Sequence, residues 1–197
     1  MATVRIATFN LENFDETHPD ERPSLEERIA LTRPQITRLR ADIAYFQKVH
    51  GQERSGQPRA LLALRSLLHG TNLDGAETVS TETSDGGVFD ERNLVVATHH
   101  RITDHEQIAN KLVAWPLYKR LTANPPDAQA QPISLERPIL HVQIEVDGGL
   151  LHVINVHLKS KIPTDVPGQK IDNFTWRSHS SLSKTTGKGR VCGREAA

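Results

Sequence analysis

Between residues 139 and 158 the chain sets Leu140, Val142, Ile144 and Val146 in alternation with His141, Gln143 and Glu145, then continues through Asp147-Gly148-Gly149 into a second apolar run. Successive side chains of a strand point to opposite faces, so this alternation specifies a strand with one buried face. Asp-Gly supplies the positive backbone angles that a tight antiparallel turn requires. The segment is therefore expected to be a hairpin over 139–146 and 150–158.

The rest of the chain is read around that hairpin. Residues 4–10, Val-Arg-Ile-Ala-Thr-Phe-Asn, are rich in branched and aromatic side chains and short enough for a buried strand ending at Asn10. Ser24 and Glu27 stand at capping-box spacing, and Leu25, Ile29, Thr32, Ile36 and Leu39 continue at helical intervals. Pro34 removes the bond to the Ala30 carbonyl and is expected to kink or tighten that helix. Residues 41–46 form a second apolar run without helical spacing, followed by a polar stretch over 47–57. Pro58 suits the first position of a second helix, with Leu61, Leu62, Arg65 and Leu68 on it and Gly70 as its stop. Residues 77–83 and 93–98 read as further strands, separated by the turn signal Asp85-Gly86-Gly87. The span 101–131 has no clear period; 104–112 is compatible with a helix, and Asn124-Pro125-Pro126-Asp127 with a loop. Strand, helix, strand, helix and then mostly strands argues a mixed α/β or an α+β fold.

Composition excludes several classes. With 37% hydrophobic residues in 197, the chain has enough apolar material for an ordinary soluble core. Lys and Arg number 24 against 24 Asp and Glu, so no whole-molecule field draws it to nucleic acid or anionic lipid, and any phosphate site has to be local. The single cysteine, Cys192, has no intrachain partner and admits no disulfide framework or cysteine zinc site. No apolar run approaches the roughly 18 residues of a membrane span, and none near the start resembles a signal core, so a cytoplasmic location is expected.

Few residues announce chemistry alone. Asn10 at a strand end either caps a turn or ligates a metal or phosphate. Asn155, His157 and Lys159, two apart, share a strand face and make either an anion-binding row or an exposed polar face. His99 and His100 are adjacent on a strand, point to opposite faces and do not chelate one ion easily. Glu12, Asp15, Glu16, Asp20 and Glu21 read as a solvated loop surface. The basic residues Arg177, Lys184, Lys188, Arg190 and Arg194 could bind polyanions but read as a short disordered tail.

Taken in order, four segments resemble motifs of the endonuclease/exonuclease/phosphatase superfamily, whose members include secreted deoxyribonucleases, abasic-site endonucleases and inositol phosphatases. They are residues 5–13, Arg-Ile-Ala-Thr-Phe-Asn-Leu-Glu-Asn; 39–43 leading to Phe46-Gln47; Arg92-Asn93-Leu94-Val95-Val96; and 154–160, Ile-Asn-Val-His-Leu-Lys-Ser. The resemblance covers about residues 3–179. It implies an α+β fold of two mostly antiparallel sheets packed as a sandwich with outer helices. It further implies a magnesium- or manganese-dependent phosphoester hydrolase acting on nucleic acid or a small phosphoester. By this resemblance Asn10 positions the metal or phosphate, His157 contacts the scissile phosphate, Asn155 assists it, and Lys159 holds substrate phosphate. Water would attack phosphorus in line while the cation neutralises the phosphoryl charge.

The chain departs from the family pattern twice. The family's second strand ends in Gln-Glu, whose Glu binds the metal; here the pair is Gln47-Lys48, and an ammonium offers a hard cation only donors and like charge. Glu53, five residues on, is the nearest substitute. The family also completes its site with a later Asp-x-Asn motif and a terminal Asp-His pair. Beyond Asn173 this chain has neither Asp nor Asn, and its last His is His179. The resemblance thus implies a partial domain over 1–180, incomplete at its C-terminus through truncation or a frameshift, and an unrelated, disordered tail over 181–197. The activity implied is an impaired phosphoester hydrolase; the alternative is a non-catalytic remnant that at most binds phosphate-bearing ligands.

Overall fold

The computed structural model describes residues 3–16, 22–109, 113–133 and 137–158, together with 168, 171, 172 and 175. The tail over 181–197 and Lys159 lie outside the described residues. The chain divides into two compact units, Met1–Ala109 with Glu136–His157, and Asn110–Leu135 with Leu158–Ala197.

In the first unit, β1 (Ile6–Phe14) leads through α1 (Leu25–Leu39) to β2 (Ile43–Val49), and β1 and β2 pair in parallel. A parallel pair needs a crossover connection, which α1 provides. Ser24 caps α1 as its spacing predicts: its Oγ accepts from the Glu27 N–H at 3.2 Å while Glu27 Oε2 accepts from the Ser24 N–H at 2.7 Å. The helix runs through Pro34 and ends at Arg40, which takes the left-handed conformation.

Two sheets follow from the pairing. The first has the order β1-β2-β6-β5, with β5 Glu77–Ser80 and β6 Asn93–Thr98; the second has the order β11-β10-β7, with β7 Ile102–Ile108, β10 Ile139–Val146 and β11 Gly149–Asn155. The hairpin expected from alternation is β10 and β11, closed on Asp147 and Gly148, both at positive φ. Such angles match the twist of the flanking strands. The described chain is a β-rich α+β fold with two helices, and among the described residues no helix is long and apolar enough to cross a membrane.

The first sheet buries both faces. Ala44, Phe46, Val95 and Ala97 cluster with Ile36 of α1 and with Ala63, Leu64, Leu67 and Leu68 of α2 (Leu62–Leu68). Ile43, Leu94, Val96 and Val79 cluster instead with Leu140, Val142, Ile144 and Val153 of the second sheet. Alternate residues of one strand thus enter two different cores, and β6, buried at all six positions, reads as an unbroken apolar run for that reason.

Four expectations need correction. β1 continues past Asn10 to Phe14, because a bulge lets the chain rejoin β2 at the pair Phe14 and Val49. The stretch after residue 46 is not simply polar loop: β2 reaches Val49, and Gln52–Arg54 (β3) pairs with Gln57–Ala60 (β4), so Pro58 lies in a strand and α2 starts only at Leu62. The segment from residue 104, compatible with a helix by composition, is largely strand β7, whose polar residues are held by pairing with β10 rather than by a buried face. β11 ends at Asn155, so His157 lies beyond the strand.

In the second unit, Leu117–Tyr118 (β8) pairs with Gln131–Pro132 (β9), and Arg120 engages Asp127.

Candidate functional site

The ends of β1, β2 and β11 and the start of β6 meet at one end of the first unit. Asn10 pairs in register with Gln47, and Gln47 with Leu94. Asn10 is exposed, and its Oδ1 accepts from the Glu12 N–H at 3.1 Å, a turn-closing bond of the kind short polar side chains make. Immediately after it the backbone turns left-handed at Glu12 (φ 49°) and Asn13 (φ 54°).

One side chain holds that turn. The Arg28 guanidinium donates to the carbonyls of Leu11 at 2.7 Å, Glu12 at 2.9 Å and Asn13 at 3.1 Å, and lies over the Phe14 ring at 4.9 Å. A planar fork of donors suits three carbonyls presented by one turn. The side chain that fixes the exit from Asn10 therefore comes from α1.

Gln47 and Asn155 bind the two sheets together. Gln47 Nε2 donates to Thr8 Oγ1 at 2.9 Å and to Asn155 Oδ1 at 3.1 Å. Asn155 Nδ2 in turn donates to the carbonyls of Phe46 at 3.3 Å and Val95 at 3.1 Å. At 2% exposure, Asn155 is neither part of an open polar face nor available to a ligand without breaking these bonds. Asn93, fully buried, makes a comparable tie: its Nδ2 donates to the carbonyls of Val49 and Phe89, and its Oδ1 accepts from the Phe89 N–H.

Around this frame stand the residues that reach toward solvent. His157 is half-buried two positions past Asn155. Lys48, also half-buried, occupies the bulge between Gln47 and Val49 at φ 59°, and its ammonium makes no hydrogen bond or ion pair with a described residue. The acidic loop is less solvated than its composition suggests. Asp15 Oδ2 lies 3.2 Å from His50 Nδ1, and Asp15 Oδ1 accepts from Gln52 Nε2 at 2.7 Å; Glu16 accepts from Arg54. His50 Nε2 is buried without a hydrogen-bond partner among the described residues. Partners 35 and 37 residues apart leave no local signal, which is why spacing did not find them.

A hard divalent cation takes several oxygen ligands. Carboxylate oxygens are its preferred ligands. Lys48 stands at the end of β2, Glu53 is engaged by Arg59 at 2.9 Å, and no group of three His, Cys, Asp or Glu side chains suited to a metal occurs among the described residues. Burial, meanwhile, pushes the Tyr45 phenol up from its ordinary value, keeping it neutral beside the core between the sheets.

No protein-family model matches the chain, and no curated protein matches it. Two of the solved structures that resemble it distantly illustrate the likeness. One is an endonuclease/exonuclease/phosphatase family protein from Leptotrichia buccalis, at 15% identity and a TM-score of 0.49 over 94% of this chain and 64% of that one. The other is a functionally unknown conserved protein from Enterococcus faecalis, at 18% identity and a TM-score of 0.47 over 78% of this chain and 52% of that one. The chain spans less than two thirds of either length.

Proposed function

We propose that the chain carries the scaffold of an endonuclease/exonuclease/phosphatase phosphoester hydrolase, two sheets packed as a sandwich with outer helices, and that Asn10 and His157 belong to its phosphate-recognising end, with Lys159 the substrate-phosphate contact that the sequence resemblance implies. The observation that supports this reading is convergence. The four segments that resemble the family are separated by up to about 150 residues in sequence, yet Asn10, Gln47, Asn93 and Asn155 are joined at one end by register and side-chain hydrogen bonds. Accidental matches have no reason to meet.

Asn155 and Gln47 act in this proposal as positioning residues, because their polar atoms are spent on holding the sheets together. Lys48 sets the limit on chemistry: its ammonium opposes the divalent cation at the position where the family pattern has a carboxylate. The reaction implied is therefore impaired, while phosphate-bearing ligands, nucleic acid or small phosphoesters, remain the ligand class.

The test is hydrolysis of plasmid DNA and of a generic phosphodiester with magnesium or manganese, beside calorimetric titration of magnesium. The unmodified chain is expected to stay at background and bind magnesium weakly, and Lys48→Glu to bind it at least roughly tenfold more tightly through removal of a like charge and gain of a ligand. Robust magnesium-dependent turnover by the unmodified chain, abolished by His157→Ala, would overturn the assignment of Lys48 as an obstacle.

A further inference from the structure

The opposite end of the first sheet carries a basic concavity. Arg5 precedes β1, Asp42 precedes β2, and His99 and His100 follow β6, so the topology gathers them away from Asn10. With Arg40 and Asn72 they line a cleft of about 550 Å³. That volume falls in the range that admits small ligands.

The frame of the cleft is fixed while its cations are not. The Arg5 N–H donates to Asp42 Oδ2 at 2.7 Å, Asn72 Nδ2 donates to the Ala41 carbonyl at 2.6 Å, and the His99 ring Nε2 lies 3.1 Å from the Asn72 carbonyl. The last contact requires the proton on His99 Nε2, since a carbonyl only accepts. The guanidinium groups of Arg5 and Arg40, by contrast, make no hydrogen bond or ion pair with a described residue. Two arginines and one aspartate thus line the cleft, which leaves its lining with an excess of positive charge. Arg40 sits at φ 46° and ψ 44°, where glycine is the unstrained residue, so the chain holds a guanidinium at the rim in a backbone conformation that disfavours its side chain.

We infer that this cleft binds a small phosphate monoester, its phosphate taken by the guanidinium groups of Arg5 and Arg40 and a hydroxyl of its organic part donating to Asp42 Oδ1. Guanidinium forks match phosphate oxygens in pairs, and a carboxylate oxygen accepts from a sugar hydroxyl. A small ligand is favoured over a nucleic acid because the site is concave and local, and a chain of zero net charge generates no field that gathers a polyanion. The site is separate from the Asn10 end and does not rest on the reading given there.

The test is titration of the full chain with inorganic phosphate, ribose 5-phosphate, ribose and a short single-stranded oligonucleotide, followed by calorimetry and by the ring resonances of His99 and His100. Ribose 5-phosphate is expected to bind more tightly than phosphate and to move both rings, and ribose to do neither. Arg40→Gly is expected to weaken binding at least roughly tenfold, the loss of one charge-assisted contact. Because glycine takes the left-handed cap without strain, that variant keeps or raises its thermal midpoint, so loss of binding is not loss of fold. In His157→Ala the shifts of the His99 and His100 rings are unchanged, which separates this site from the Asn10 end. Silent rings at millimolar phosphate, or undiminished binding by Arg40→Gly, would overturn the proposal. Tighter, steeply salt-dependent binding of the oligonucleotide at the same rings would overturn the small-ligand assignment.

Discussion

Gln47 and Asn155, 108 residues apart, share a hydrogen bond of 3.1 Å between the second strand of one sheet and the last residue of β11 in the other. Three of the four hydrogen-bonding positions of the Asn155 amide are thereby committed, one to Gln47 and two to the carbonyls of Phe46 and Val95. A buried amide so placed specifies the register of the hairpin against the first sheet, and hence where the chain emerges toward His157.

Removing the amide should therefore destabilise the fold through the partners it leaves. Asn155→Ala is expected to cost about 2–3 kcal/mol, since a buried donor and two carbonyls lose a partner. Asn155→Asp is the sharper variant: one carboxylate oxygen accepts from Gln47 but the other, in place of the amide nitrogen, stands against two carbonyls. Burial and those carbonyls raise its folded pKa above the unfolded value. The native state then holds the proton more firmly, and stability is recovered as pH falls through that folded pKa. Urea unfolding between neutral and mildly acidic pH checks this, with the midpoint moving and the slope constant.

Arg28 offers a comparable test at the other side of the site. Its three bonds to the carbonyls of Leu11, Glu12 and Asn13 restrain two residues at positive φ. Lysine keeps the charge but cannot present a planar fork. Arg28→Lys is expected to cost about 1–2 kcal/mol. Hydrogen exchange at residues 11–14 should quicken more than exchange in β2 and β6, because the clamp acts locally. Uniform quickening would mean that Arg28 acts on the whole core instead.

The parts of this fold that sequence reveals are those whose signal is local. The alternation of Leu140, Val142 and Ile144, the Ser24 and Glu27 capping box and the apolar run of β6 each follow from neighbouring residues, and each is present. β7 escaped because Thr103, Asp104, His105 and Glu106 show no buried period; β10 supplies the pairing that makes them a strand. The site divides in the same way. Asn10 and Asn155 stand out by residue type, but an exposed turn-former and a buried inter-sheet tie look alike until the partners are known. The contacts of Asp15 with His50 and Gln52 cross 35 and 37 residues, and no periodicity encodes them.

In the second unit the ion pair of Arg120 and Asp127 has a defined pH dependence. Side-chain hydrogen bonds from Arg120, then a bond from its backbone N–H, hold the Asp127 carboxyl down from 3.8 to about 2. A depressed folded-state pKa contributes stability that is present above the unfolded value and is lost as pH falls toward the folded one. The contribution should therefore vanish between roughly pH 4 and 2. Carbon NMR of the Asp127 carboxyl should titrate at about 2, and Asp127→Asn should remove the acid-dependent part of exchange protection in residues 119–128. A midpoint near 4 would show that the pair is not formed in solution.

Gln52 makes the last case, because it caps a helix that has no cap of its own. Leu61, preceding α2, offers no side-chain acceptor, and the Ala63 N–H is instead accepted at 3.0 Å by Gln52 Oε1. The same amide donates through Nε2 to Asp15 Oδ1 and to the His50 carbonyl, so one side chain links β3, the acidic loop and α2. Gln52→Ala is expected to cost about 1–2 kcal/mol, in line with loss of an N-terminal cap plus a buried partner. Gln52→Glu separates the two functions. It keeps an acceptor for Ala63 but sets a second carboxylate against Asp15, so at neutral pH repulsion offsets the retained cap. Protonation restores a donor toward Asp15, and the deficit should shrink on acidification. If Gln52→Glu matches the parent at neutral pH, the cap alone accounts for Gln52 and its bond to Asp15 contributes nothing to stability.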